Sequence, residues 1–131
     1  MITTKLFMTV SLMMAASTTL SAMKWEKRVL LVSAPRPNDS SLADQRRIIA
    51  RWRVGAAMRD LVVVELVGDK VAGASDPAAT LRERYELPAS GFSVILIGKD
   101  GGIKLRETRP ISALVLEDAI DAMPMRRGGN R

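Results

Sequence analysis

Val29-Leu30-Leu31-Val32 is an unbroken apolar run, followed by Ala34-Pro35-Arg36-Pro37-Asn38-Asp39 and then by the long segment Leu42 to Met58. Four consecutive apolar residues without polar alternation read as a strand buried on both faces. Two prolines and an Asn-Asp pair then break the chain into a loop. Ser40 or Ser41 is placed to cap the helix that follows. In that helix Leu42, Ile49, Trp52 and Ala56 share one arc with Ile48 beside it, and Arg47 and Arg51 fall on the far side. Strand, loop and helix in this order open a βα unit, so the chain is expected to build an α/β sheet.

Downstream, Leu61 to Leu66 (LVVVEL) is a second buried strand, rich in β-branched residues. Gly68 to Ser75 reads as a loop. Asp76 or Ser75 is placed to cap a short helix running to about Tyr85, with Pro77 suited to its first turn. Phe92 to Ile97 is a third strand. Lys99-Asp100-Gly101-Gly102 is a turn signal, and Ile103-Lys104-Leu105-Arg106 alternates apolar with basic, so the pair predicts a β-hairpin with one solvated face. Ser112 caps a last helix whose Val115, Leu116, Ala119, Ile120 and Met123 share a face. Glu117, Asp118 and Asp121 lie opposite, and Pro124 ends it. The order β-α-β-α-β-β-α predicts a mixed central sheet with flanking helices, the element order of a thioredoxin-like α/β domain.

Upstream, Met1 to Lys5 carries one positive charge, Leu6 to Ala16 is apolar, and Ser17 to Ala22 is small and polar. This is the pattern of a secretory signal peptide over residues 1–22, cleaved after Ala22 to leave a domain over 23–131. An uncleaved anchor is the competing reading, but spanning takes roughly 20 apolar residues and this run is shorter. The expected location is periplasmic or secreted, with no membrane span after cleavage.

The composition of the 131 residues excludes whole classes of activity. There is no Cys and no His. Disulfides, thiol nucleophiles and dithiol redox couples are therefore absent, as are imidazole bases and His-ligated metals. Asp39, Asp44 and Asp60 show no ligand spacing, so neither metal nor cofactor is expected. Twenty Lys and Arg against 14 Asp and Glu give a net charge of +6, which favours acidic partners. Nucleic acid is not expected, because no recognition motif or row of stacking aromatics accompanies the charge. Gly98 to Gly102 matches no phosphate-binding pattern and precedes a strand rather than a helix.

Several segments resemble a known family: Trp25-Glu26-Lys27-Arg28-Val29-Leu30-Leu31-Val32, Gln45, Arg59-Asp60-Leu61-Val62-Val63, the stretch from Gly98-Lys99-Asp100-Gly101-Gly102 to Arg106, and Ile120 to Arg127 with its Met123-Pro124-Met125-Arg126-Arg127 string. They are similar to the DUF4174 family of small secreted bacterial proteins, a module also found in animal extracellular proteins related to sushi-repeat proteins. The resemblance covers nearly all of the chain after the signal. It implies a thioredoxin-like fold distantly similar to peroxiredoxins, and no established activity. In such a fold the reactive thiols lie in the loop after the first strand, here Ser33 to Ser41, and a cis-proline precedes the third strand, here at Ser93. Neither Cys nor Pro stands at these places, so thiol–disulfide exchange and peroxidase chemistry are excluded.

Two candidate sites remain. Ligands of open α/β sheets bind beyond the carboxyl ends of parallel strands, which points to Ser33, Arg36, Asn38, Asp39 and Ser40 in the first loop. A helix N-terminus beside Arg36 suits an anion. Met123, Met125, Arg126 and Arg127 are the candidate partner-docking residues, because Met adapts to irregular surfaces. The expected function is a non-catalytic binding or interaction module for a protein or an anionic ligand. A Cys-independent enzyme at the first loop and a basic adaptor for anionic envelope polymers are the alternatives.

Overall fold

Arg28–Ala34 (β1) is buried along its whole length and lies at the centre of a five-stranded sheet. The computed structural model describes residues 18–124; the apolar run Leu6 to Ala16 and residues 125–131 lie outside them. On one side β1 pairs in parallel with Leu61–Val67 (β2), which turns back through Lys70–Ala72 (β3). On the other it pairs antiparallel with Ser93–Ile97 (β4), which is joined by the expected hairpin to Ile103–Glu107 (β5). The order across the sheet is β3-β2-β1-β4-β5. The mixed sheet with flanking helices is the architecture the sequence predicts.

Alternation along β1 feeds two cores. Leu30, Val32 and Ala34 face Ser40–Arg51 (α2), Arg53–Met58 (α3) and Ala113–Asp121 (α5), through Leu42, Ala56, Leu116 and Ile120. Val29 and Leu31 face Leu20–Met23 (α1) and Ala78–Tyr85 (α4), through Leu20, Met23 and Leu81. Apolar side chains leave the sheet in both directions, which is why β1 and β4 have no polar alternation.

Several local expectations are corrected. The cap of α2 is Asp39, whose carboxylate accepts from Leu42 N at 3.1 Å, rather than Ser40 or Ser41. The helix expected over Leu42 to Met58 breaks at Trp52, which leaves the helical region. The Trp52 indole folds over Gly55, where a Cβ would lie 2.2 Å from its ring nitrogen, so only glycine fits beneath it. The segment read as a loop after Gly68 contains β3. Val67 and Lys70 pair across the two-residue connection Gly68-Asp69, and Gly68 has φ +60, as a tight hairpin requires. In β3 only Val71 is even half-buried, so the strand has no apolar alternation to read. Pro77 rather than Asp76 or Ser75 occupies the cap position of α4. On α5, Val115 is exposed and not part of the buried face, while Ser112 caps as expected.

Two buried polar residues anchor distant parts of the chain. Gln45 is 1% exposed and clamps the strand-to-helix crossing at Ile111, donating to its carbonyl at 2.9 Å and accepting from its N–H at 2.8 Å. At the amino end, Thr19 caps α1, and Leu20 N donates to the buried Asp76 carboxylate at 2.9 Å. Leu20 and Met23 both enter the core. The folded unit thus takes in residues upstream of the expected 22/23 boundary.

Two measurements check these anchors. A chain beginning at Met23 is expected to melt well below one beginning at Thr18, because losing a buried leucine costs about 2–5 kcal/mol. Gln45→Ala is expected to cost about 2–4 kcal/mol, since it strands both polar groups of a buried peptide unit; denaturant titration of each variant reads the difference.

Candidate functional site

The first loop is capped and solvated. Ser33 lies within β1, is 1% exposed, and its hydroxyl has no hydrogen-bond partner among the described residues. Arg36, Asn38 and Ser40 are exposed, and Asp39 is occupied by the cap of α2. The carboxyl ends of β1 and β2 are closed together by Gly68 N donating to Ala34 O at 3.0 Å. Arg82 on α4 also hydrogen-bonds the Gly68 carbonyl. The structure brings Ser33 and Ser40 to the same end of the sheet but not into a common cavity.

The opposite end, at the amino termini of β1 and β2, is built differently. Arg28 opens β1 on the α5 side and is 1% exposed. Its Nη1 donates to Arg59 O at 2.6 Å, and its Nε lies 3.3 Å from the sulfur of Met123. Met123 is itself buried just beyond α5, so of the docking candidates it is a core residue that also lines a cavity; Met125, Arg126 and Arg127 lie outside the described residues. Arg59, in turn, pairs with Asp121 through two contacts of 3.1 Å and lies against the Trp52 ring. Trp52 Nε1 donates to Glu117 at 3.2 Å. Glu117 and Asp121, expected on a solvated helix face, therefore fasten α5 to the end of α3.

Around Arg28 stands a second ring of charges. Lys99 is 7% exposed, and its Nζ lies 2.8 Å from the Asp60 carboxylate. Its carbonyl accepts the N–H of Trp25 at 2.6 Å. Asp100 accepts from Gly102 N at 2.9 Å and from Lys104 at 3.0 Å. The hydrogen bond from Lys99 holds the Asp60 carboxyl below its ordinary pKa, helped by the charges of Lys27 and Arg28. Asp100 is held low first by the Gly102 N–H and then by Lys104.

Two cavities open here. One, of about 240 Å³, is lined by Trp25, Arg28, Lys99, Lys104, Met123 and Pro124. The other, of about 350 Å³, includes Lys24, Lys27, Arg84, Tyr85 and Ser21, and shares Asp100 with the first. Trp25 lines the smaller one, 58% exposed and at φ 73. Bulky residues rarely adopt that backbone. Among the described non-glycine residues only Trp25, Asp60 and Glu86 have positive φ. Glu86 ends α4, whereas the other two flank the same charged cluster.

A sheet flanked by helices on both faces, whose central strand pairs in parallel on one side and antiparallel on the other, defines a thioredoxin-like α/β domain. The fold is similar to that of a Plasmodium vivax 2-Cys peroxiredoxin in its reduced form, with a TM-score of 0.61 and 13% identity over 83% of this chain and 84% of that one. The model of the family described as domain of unknown function (DUF4174) matches residues 19–128, and the chain belongs to that family. It is 26% identical to the zebrafish coiled-coil domain-containing protein 80, over 82% of this chain and 15% of that protein. It is 28% identical to the sushi repeat-containing protein SRPX of rat and of human, over 78% of this chain and 24% of each. The chain thus spans less than a quarter of the length of these relatives.

Parts of the segments that carry the family resemblance, Trp25 to Arg28, Arg59-Asp60, Gly98 to Lys104 and Met123-Pro124, converge on this end, while Gln45 holds Ile111 elsewhere in the fold. A search along the carboxyl ends of strands passes this cluster by, because it lies at their amino ends. The signal available in the sequence was the set of strings itself, with Trp25 and Lys99 read only as a strand lead-in and a turn.

The low pKa of Asp60 and Asp100 fixes the sign of an acid effect. A carboxyl whose folded pKa is depressed adds stability above its unfolded pKa, near 3.9, and loses it as pH falls through the folded value. Melting temperature is expected to fall as pH drops below about 4. Asp60→Asn is expected to flatten that slope and to leave the melt above pH 6 less stable than wild type; thermal melts across pH 2–7 read both.

Proposed function

We propose that this protein is an exported, non-catalytic binding module whose recognition face is the amino end of the sheet around Trp25. The observation supporting it is the convergence of three separate family segments on one cavity, with Asp60 of a fourth paired to Lys99, where an exposed indole and Met123 stand beside Lys99 and Lys104. Proton transfer in a chain without His or Cys would fall to Asp, Glu, Lys or Tyr. The two carboxylates at this face, Asp60 and Asp100, are held low by hydrogen bonds and neighbouring charge. A general acid or base at neutral pH needs the opposite shift.

The reading of export rests on the pattern of residues 1–22. Ala15-Ala16-Ser17 places small residues at the third and first positions before Thr18. A cut there leaves intact the Thr19 cap and the buried Leu20. N-terminal sequencing of the native protein from the cell envelope or medium tests this: a start at Thr18 is the expected result, and retention of the whole chain inside the cell would sink it.

Amide-resolved NMR titration with metabolites, sugars and polyanions tests the recognition face. Shifts confined to Lys24–Arg28 and Gly98–Lys104 are expected. Shifts confined to Pro35–Ser40 would move the function to the first loop and favour an activity there.

A further inference from the structure

We infer that this face binds acidic oligosaccharides, with the Trp25 indole as a platform beside a cationic cavity; the inference rests on the proposed recognition face. Trp25 bears two costs that the fold does not require. Its backbone is in the left-handed region, which strains a bulky residue. Its side chain is 58% exposed, although the chain has only two tryptophans. The main-chain bond to Lys99 and the Lys24 ammonium, 5.4 Å from the ring centroid, hold the indole beside the smaller cavity.

The charges of the larger cavity are not balanced. In the larger cavity, Lys24 and Lys27 form no ion pair among the described residues, and Arg84 reaches Asp76 only at 3.9 Å. The one carboxylate there, Asp100, is engaged by Gly102 and Lys104. That cavity also carries Ser21 and Tyr85, whose hydroxyls suit a polyhydroxylated ligand. The smaller cavity adds Lys99 and Lys104 beside Met123 and Pro124.

An acidic sugar chain answers each feature. The C–H face of a pyranose ring is drawn to the negative face of an indole. Its carboxylate or sulfate pairs with Lys or Arg in charge-assisted bonds. Consecutive sugars repeat that chemistry, which fits an aromatic platform beside a cationic cavity. A bilayer surface is flat and fits a pair of recessed cavities poorly.

The test is calorimetric titration of the exported chain with oligogalacturonate, a neutral maltooligosaccharide of the same length, phosphatidylglycerol vesicles and single-stranded DNA. Saturable binding of oligogalacturonate but not of maltooligosaccharide is expected, weakening with salt. Trp25→Ala and Lys27→Ala are each expected to weaken it roughly tenfold with the melting curve no lower than wild type. Equal binding of every polyanion regardless of Trp25 would reduce the face to charge alone and overturn the inference. Trp25-dependent binding to vesicles or DNA in preference to the sugar would overturn it as well. Failure to bind oligogalacturonate overturns the sugar, while NMR shifts at the same face with another ligand would leave the recognition face standing.

Discussion

Arg28 begins the central strand with its guanidinium almost wholly out of water, held by the Arg59 carbonyl at 2.6 Å and resting on the Met123 sulfur at 3.3 Å. A buried cation is tolerated only where surrounding groups replace its hydration. Those groups come from distant stretches of chain: the turn before β2 and the end of α5. Each must arrive in one position, or the charge is stranded. The same turn supplies Asp60, whose carbonyl accepts the Arg28 N–H at 2.8 Å and whose carboxylate holds Lys99. One buried charge thereby sets the start of β2, the close of α5 and the register of the β4–β5 hairpin against β1.

The two ends of the sheet consequently differ in character. At the carboxyl ends, a main-chain hydrogen bond closes β1 against β2, and the Asp39 carboxylate is engaged by the cap of α2. At the amino ends the chain spends its polar groups holding charges in place, and cavities remain between them. The thioredoxin-like architecture is retained while the customary site is lost: Ser33 and Ser93 sit opposite each other on β1 and β4, both buried. Function on this scaffold then depends on residues added around the sheet rather than on the sheet itself.

The strands were legible because burial on two faces writes itself as unbroken apolar runs. The same holds for α5 with Ser112, where a cap and a periodic face agree. What escaped has local causes. β3 has three residues and no alternation. The break at Trp52 depends on an indole lying across Gly55, a tertiary contact that spacing cannot show. Thr19 and Leu20 were hidden because a short helix next to an apolar run has the composition of the run. The pairing of Glu117 and Asp121 with Arg59 joins residues about sixty positions apart, and no periodicity reports it.

The proposed recognition face was illegible for a deeper reason. Its residues are individually ordinary: a tryptophan before a strand, a lysine in a turn, a methionine at a helix end. In isolation each has a structural explanation, and Met123 does pack into the core. Only their convergence shows that the explanations are insufficient. Core packing accounts for Met123 but not for the exposure of Trp25, and hairpin geometry accounts for Gly101 but not for burying Lys99. Strain, a sunken lysine and an exposed indole all oppose folding. They occur together beside cavities at one end of the molecule, which is where a selected surface, rather than a folding requirement, explains them.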